Sequence, residues 1–156
     1  MGHIVRIIPG DLDDARVCAL LEEHLRTARA ATAACSDHAL EVSELKAPDI
    51  TFWAAWDGDV LLGVGALKRL SPEHGEIKSM HTVRDRRRQG VGAALLVHII
   101  DAAHAMGLSR LSLETGSAEY FVPARALYEK HGFVECPPFA EYVVDPNSVF
   151  MTRTLR

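Results

Sequence analysis

Arg86-Arg87-Arg88-Gln89-Gly90-Val91-Gly92-Ala93 lies between a strand-like run, Glu76 to Val83, and an apolar helical run, Gly90 to Met106. Two glycines without Cβ let backbone N–H groups come close to a ligand. The first N–H groups of a helix have no partner inside it and carry partial positive charge. Together they suit a phosphate or pyrophosphate, and three consecutive arginines add cationic character. A tight turn beside a solvated basic face would leave the same trace in the sequence.

Outward from this loop the pattern organises the chain. Val91, Leu95, Ile99, Ala102 and Met106 fall on one helical face, and Gly107 is the natural C-terminal cap. Upstream, Thr51 to Trp56 reads as an aromatic strand, Asp57-Gly58 as a hairpin, and Val60 to Leu67 as its partner. Ser71-Pro72-Glu73-His74-Gly75 then turns into the third strand of a meander, Glu76 to Val83. Downstream, Leu111-Ser112-Leu113-Glu114 is a strand, and Pro123 to His131 is a helix closed by Gly132. Two apolar runs, 139–144 and 149–155, flank the turn Asp145-Pro146-Asn147-Ser148 and read as final strands.

At the N-terminal end, residues 3–8 read as a strand stopped by Pro9-Gly10. Asp11 can cap a helix whose Val17, Leu20, Leu21 and Leu25 share a face, with the Ala-rich stretch 28–34 extending it. Ser36 or Asp37 can cap a second helix running to Lys46, which Pro48 ends. The order is β-α-α-β-β-β-α-β-α-β-β. It implies an α/β (α+β) fold with one mixed central sheet of about six to seven strands, helices on both faces and one β-α-β crossover.

Composition bounds the function. At 156 residues the chain fits one domain, taken as 1–156. Seventeen basic against 21 acidic residues give a net charge of −4, and 48% of residues are apolar. Such a chain is too apolar for disorder and has no apolar run long enough for a membrane span. The negative balance argues against nucleic-acid binding by bulk charge. Cys18, Cys35 and Cys136 are odd in number and widely spaced, which points to a reducing, cytoplasmic setting; no signal peptide is visible. Eight histidines include no His-Glu-x-x-His and no Cys/His cluster, so no metal is expected.

The phosphate loop admits three ligands. A Walker P-loop requires Gly-Lys-Ser or Gly-Lys-Thr at its end, which is absent. A Rossmann dinucleotide site requires a third glycine where Leu95 stands. Glu114 lies 24 residues after Gly90, near where a ribose-binding carboxylate would fall, but only 41 residues remain after Thr115 for further β-α units. The third ligand is coenzyme A. Here the sequence resembles the GNAT superfamily of N-acetyltransferases. That family's signature is Arg or Gln, two variable residues, Gly, one variable residue, then Gly or Ala. The chain reads Arg87-Arg88-Gln89-Gly90-Val91-Gly92. The strand Leu111 to Thr115 and the block Ala126-Leu127-Tyr128-Glu129-Lys130-His131-Gly132-Phe133 follow the family's order and spacing. The resemblance spans essentially the whole chain. It includes features of the bacterial YsnE-like subgroup, such as Gly75 to Met80, Leu113-Glu114-Thr115-Gly116, Pro138 to Tyr142 and Asp145 to Met151.

The resemblance implies acetyl-CoA as cosubstrate, with direct transfer of its acetyl group to a primary amine of a small molecule or peptide. The backbone of Arg87, Arg88, Gln89, Gly90, Val91, Gly92 and Ala93 would hold the pyrophosphate. The backbone of Met80, His81 and Thr82 would pair with the pantetheine arm, which requires their strand to part from 111–115. Tyr128 matches the family's acid for the departing sulfur. Glu76, eleven residues before Arg87, matches the general base of histone-type members. His81 is the second candidate base, since its reference pKa suits the work. Strand alternation places Glu76, Lys78, Met80 and Thr82 on one face and His81 on the other. His24, His38 and Tyr142 are candidates to line the acceptor pocket. Where many members carry an Asn contacting pantetheine, this chain has Phe121, with Ser117 as the nearby replacement. That departure leaves a non-catalytic acyl-CoA-binding or sensing module as the alternative. The net charge favours a cationic or neutral amine. A homodimer accords with the superfamily's habit, and no nucleic-acid or membrane partner is expected.

Overall fold

The computed structural model describes residues 5–31, 42–83 and 90–155. Seven strands form one sheet in the order β1-β2-β3-β4-β5-β7-β6. They are β1 (Arg6–Pro9), β2 (Ile50–Asp57), β3 (Val60–Arg69), β4 (His74–Thr82), β5 (Arg110–Gly116), β6 (Val134–Cys136) and β7 (Ser148–Thr154). The β4–β5 pair is parallel and the other five pairs are antiparallel. The helices are α1 (Ala15–Ala31), α2 (Val42–Leu45), α3 (Val91–Ala105) and α4 (Val122–Lys130). The mixed sheet and its crossover through α3 are as expected from the sequence; a second β-α-β connection, β5–α4–β6, steps over β7, since β5 and β6 both run antiparallel to it.

Strand alternation decides which helix covers which face. Trp53, Leu67 and Ile77 pack with Leu96, Ile99 and Ala103 of α3 and with Tyr128 of α4. Phe52, Ala54, Trp56, Val64 and Ala66 point the other way, onto Val17, Leu20 and Leu21 of α1 and Leu45 of α2. Helices therefore cover both faces. Removing each of the valine, leucine, isoleucine and phenylalanine side chains among them from water contributes about 1.5–3 kcal/mol. The helix α3 ends as its sequence implies, with Gly107 in the left-handed region (φ 80°).

Several boundaries differ from the sequence reading. The run 139–144 is not a strand; β6 is Val134–Cys136 instead. Pro137 and Pro138 lack the N–H groups a ladder needs, and Ala140 sits at φ 52°, so the chain folds back on itself. Only its aromatic residues pack on the sheet, while Val143 and Val144 are 68% and 83% exposed. Phe139 and Tyr142 meet Phe150 of β7 with ring centroids 6.0 and 5.5 Å apart. Asp14, not Asp11, caps α1: its Oδ1 accepts the N–H of Arg16 at 2.8 Å, while Asp11 Oδ1 accepts that of Asp13. Pro9, expected to stop β1, closes it from within, opposite Trp53. Residues 3–4, the caps Ser36 and Asp37, and His38 lie outside the described residues, as does the side chain of His24.

Candidate active site

The site begins where β4 and β5 part. They pair from His74↔Arg110 to Ile77↔Leu113, and the ladder stops there. Yet β4 continues to Thr82, held by β3 up to Gly63↔Thr82, and β5 continues to Gly116, held by β7 up to Gly116↔Ser148. Each strand is fixed on its outer side, so the inner backbone edges of 78–82 and 114–116 face a cleft. This is the parting that pantetheine pairing with Met80, His81 and Thr82 requires.

A bulge reorganises β4 just past the split. Val64 pairs with His81 but Ala66 pairs with Lys78, so Gly65 alone opposes Ser79 and Met80. Ser79 takes a left-handed conformation, φ 53°. Such an extra residue reverses the alternation beyond it. Paired residues share a face, so Glu76, Lys78 and His81 look toward the α1 side, with Val64 and Ala66. Met80 and Thr82 look toward α3: a Cβ on Gly65 would lie 3.5 Å from Met80 Cγ, and one on Gly92 3.7 Å from Thr82 Oγ1. The expectation that Met80 and Thr82 share the Glu76 face, with His81 opposite, is thereby corrected. Both candidate bases stand on one side of the sheet.

At the end of the cleft lies the N-terminus of α3. Gly90 is its cap residue, with φ 81° and ψ 6°. A side chain is strained there, and glycine is not. The N–H groups of Val91, Gly92 and Ala93 are the orphan donors of the first helical turn. The Val91 side chain itself is buried, so only its backbone is available to a ligand. Leu127 Cδ2 lies 3.2 Å from where a Gly92 Cβ would be, so α4 leans directly on this turn. Arg87, Arg88 and Gln89 lie outside the described residues.

That same helix α4 carries Tyr128 beside the turn. Its ring is 7% exposed and meets Phe133 edge-on, centroids 5.9 Å apart. Burial pushes its phenol up to about 12. Tyr128 is therefore a hydrogen-bond donor throughout the neutral range. Phe121 lies on Gly116 at the end of β5, so close that any Cβ at Gly116 would overlap the ring. Ser117 is held elsewhere, its hydroxyl donating to the Pro146 carbonyl at 2.7 Å.

On the opposite face Glu76 is nearly closed off, with its side chain 4% exposed. Its Oε2 accepts the Tyr142 hydroxyl at 2.6 Å and Lys78 Nζ at 3.0 Å. Burial, followed by the Glu76 charge, raises the Tyr142 phenol well above its usual range. Beside this group, His74 Nε2 and Ser112 Oγ are 2.7 Å apart, and Ser112 Oγ lies 2.9 Å from Thr152 Oγ1. Lys78 as a partner of Glu76 was missed in the sequence, although an i, i+2 pair on a strand shares a face. Tyr142 is 66 residues from Glu76 in the chain, and no local pattern joins them. Among the described residues no cluster of three or more His, Cys, Asp or Glu could hold a metal.

Comparison with known proteins gives a consistent result. A family model described as acetyltransferase (GNAT) family matches residues 17–133. The uncharacterized N-acetyltransferase YsnE of Bacillus subtilis is 52% identical over 145 residues, covering 93% of this chain and 96% of that protein. A candidate acyl-CoA N-acyltransferase from Klebsiella pneumoniae superposes with a TM-score of 0.80 at 27% identity, covering 98% and 99% of the two chains. A Bacillus subtilis acetyltransferase crystallised with CoA has the same fold, with a TM-score of 0.68 at 20% identity, covering 98% of this chain and all of that one.

Proposed function

The chain belongs to the acetyltransferase (GNAT) family and is an N-acetyltransferase; from that premise we propose direct transfer of an acetyl group from acetyl-CoA to a primary amine of a small molecule or peptide. The observation that carries this reading is the parting of β4 from β5 after Ile77↔Leu113, which opens a strand-lined cleft toward Gly90.

In this reading the N–H groups of Val91, Gly92 and Ala93 take the pyrophosphate, beside the backbone of Arg87 to Gly90. The cleft edge of Met80, His81 and Thr82 pairs with the pantetheine amides. Acetyl-CoA supplies an activated thioester: the amine nitrogen forms the new C–N bond and the C–S bond breaks. Glu76 takes the proton that the amine must lose. Its Oε1 serves, because Oε2 already accepts from Tyr142 and Lys78. Tyr128 donates a hydrogen bond to the departing sulfur. A phenol near 12 facing a thiol of about 8.5 stabilises developing negative charge without giving up its proton in the ground state. His81, on the same face as Glu76, is the reserve base. The three dispersed cysteines accord with a cytoplasmic setting.

A thermal shift of the purified chain with acetyl-CoA, CoA and NAD side by side tests the cosubstrate. A ligand at 100 times its Kd adds about 2.7 kcal/mol of stability. Acetyl-CoA and CoA are expected to raise Tm, and NAD is not. A shift with NAD alone, or with none of the three, would withdraw the reading.

A further inference from the structure

Glu76, Lys78 and Tyr142 form a closed triangle. Besides the two bonds to Glu76 Oε2, Lys78 Nζ donates to the Tyr142 oxygen at 2.9 Å. The Lys78 side chain is 9% exposed and that of Glu76 4%, while Tyr142 is half-buried above them. Tyr142 is itself immobilised. Its ring packs on Phe139 at 5.2 Å and on Phe150 at 5.5 Å, and its backbone N–H bonds to the Phe139 carbonyl. Phe150 is anchored in β7. The hydroxyl reaching Glu76 is thus held by the sheet through an aromatic chain. Among the described residues Glu76 Oε1 has no hydrogen-bond partner.

We infer that Tyr142 and Lys78 are positioning residues for N-acetyl transfer. They lock Glu76 through Oε2 and leave Oε1 as the oxygen that receives the acceptor's proton. This rests on Glu76 being the base. The chemistry favours two donors on one oxygen. A carboxylate this deeply buried needs a compensating cation, which Lys78 provides. A cation alone would leave the carboxylate free to rotate and present either oxygen, and the second, rigid donor at 2.6 Å removes that freedom. The loop 137–147, whose apolar stretch reads from sequence as a strand, instead carries a phenol back to β4.

The other groups around Glu76 are Lys68, paired with it across β3, Ser112, paired with it across β5, and His74 and His81 on its own strand and face. Glu114 on β5 lies close enough to act on the Tyr142 phenol. None of these donates to Glu76.

The test compares the full chain with Glu76→Gln, Tyr142→Phe and Lys78→Met. Rates are measured with acetyl-CoA and three probe acceptors: phenethylamine, lysine amide and a free N-terminal alanine peptide. Glu76→Gln should lower kcat by at least about 100-fold. Tyr142→Phe keeps the ring packing; it should lower kcat about tenfold and leave the acetyl-CoA KM unchanged, a split that a merely structural role would not give. Lys78→Met should lower kcat further, and Lys78→Arg should restore part of it. If Tyr142→Phe leaves kcat unchanged while Glu76→Gln is inactive, the positioning role is overturned and the base stands. If Glu76→Gln turns over normally, or no probe amine is acetylated by the unaltered chain, the base assignment and this inference fall together.

Discussion

Gly92→Asp is expected to weaken CoA binding by at least about 100-fold while leaving the fold intact. The two effects separate because they act on the same helix terminus with opposite sign. An Asp in the first turn of α3 complements the helix dipole and stabilises the helix by about 0.3–1 kcal/mol. Its Cβ would meet the flexible end of Leu127 at 3.2 Å and the Thr82 hydroxyl at an ordinary 3.7 Å. A pyrophosphate on the same N–H groups meets a unit negative charge instead. At about 4 Å and an effective dielectric near 20, that repulsion is roughly 4 kcal/mol. Gly90→Pro should abolish binding by another route. Proline is locked near −65° and cannot adopt the +81° that Gly90 uses to enter the helix. Calorimetric titration with CoA, alongside circular dichroism, checks both. Gly92→Asp binding CoA with unchanged affinity would place the pyrophosphate elsewhere.

Tyr128→Phe should lower kcat by about 100- to 1,000-fold, the range for removing one preorganised donor to developing charge. The ring, its contact with Phe133 and its place in the core survive the change. Acetyl-CoA affinity should therefore stay within about twofold, and Tm should hardly move. A variant with normal turnover would remove Tyr128 from the chemistry. One with equal losses in kcat and coenzyme affinity would make it a binding residue.

These expectations draw unequally on the sequence. The α3 helix was legible because its apolar spacing, its opening glycines and Gly107 all agree. The split between β4 and β5 was not. Pairing over Ile77↔Leu113 and its end there depend on β3 and β7 holding the outer edges, which no local run records. The bulge at Ser79 and Met80 was also hidden. Ser79 is not a glycine, and the residue that makes room is Gly65 on the neighbouring strand. One unseen residue of slip reversed the faces of Met80, His81 and Thr82. The run 139–144 is not a strand because Pro137 and Pro138 lead into it and Ala140 turns it left-handed, against its apolar pattern. Glu76 and Tyr128 could be named by spacing. That Tyr142 and Lys78 grip the carboxylate emerges only when β4 and this loop are folded together.

The most direct measurement is release of free CoA thiol from acetyl-CoA across a panel of primary amines, with each amine's product identified by mass. Thiol release that requires both the chain and an amine, accompanied by the N-acetylated product, is the expected result. Coenzyme binding with no amine-dependent thiol release across the panel would contradict acetyl transfer to primary amines.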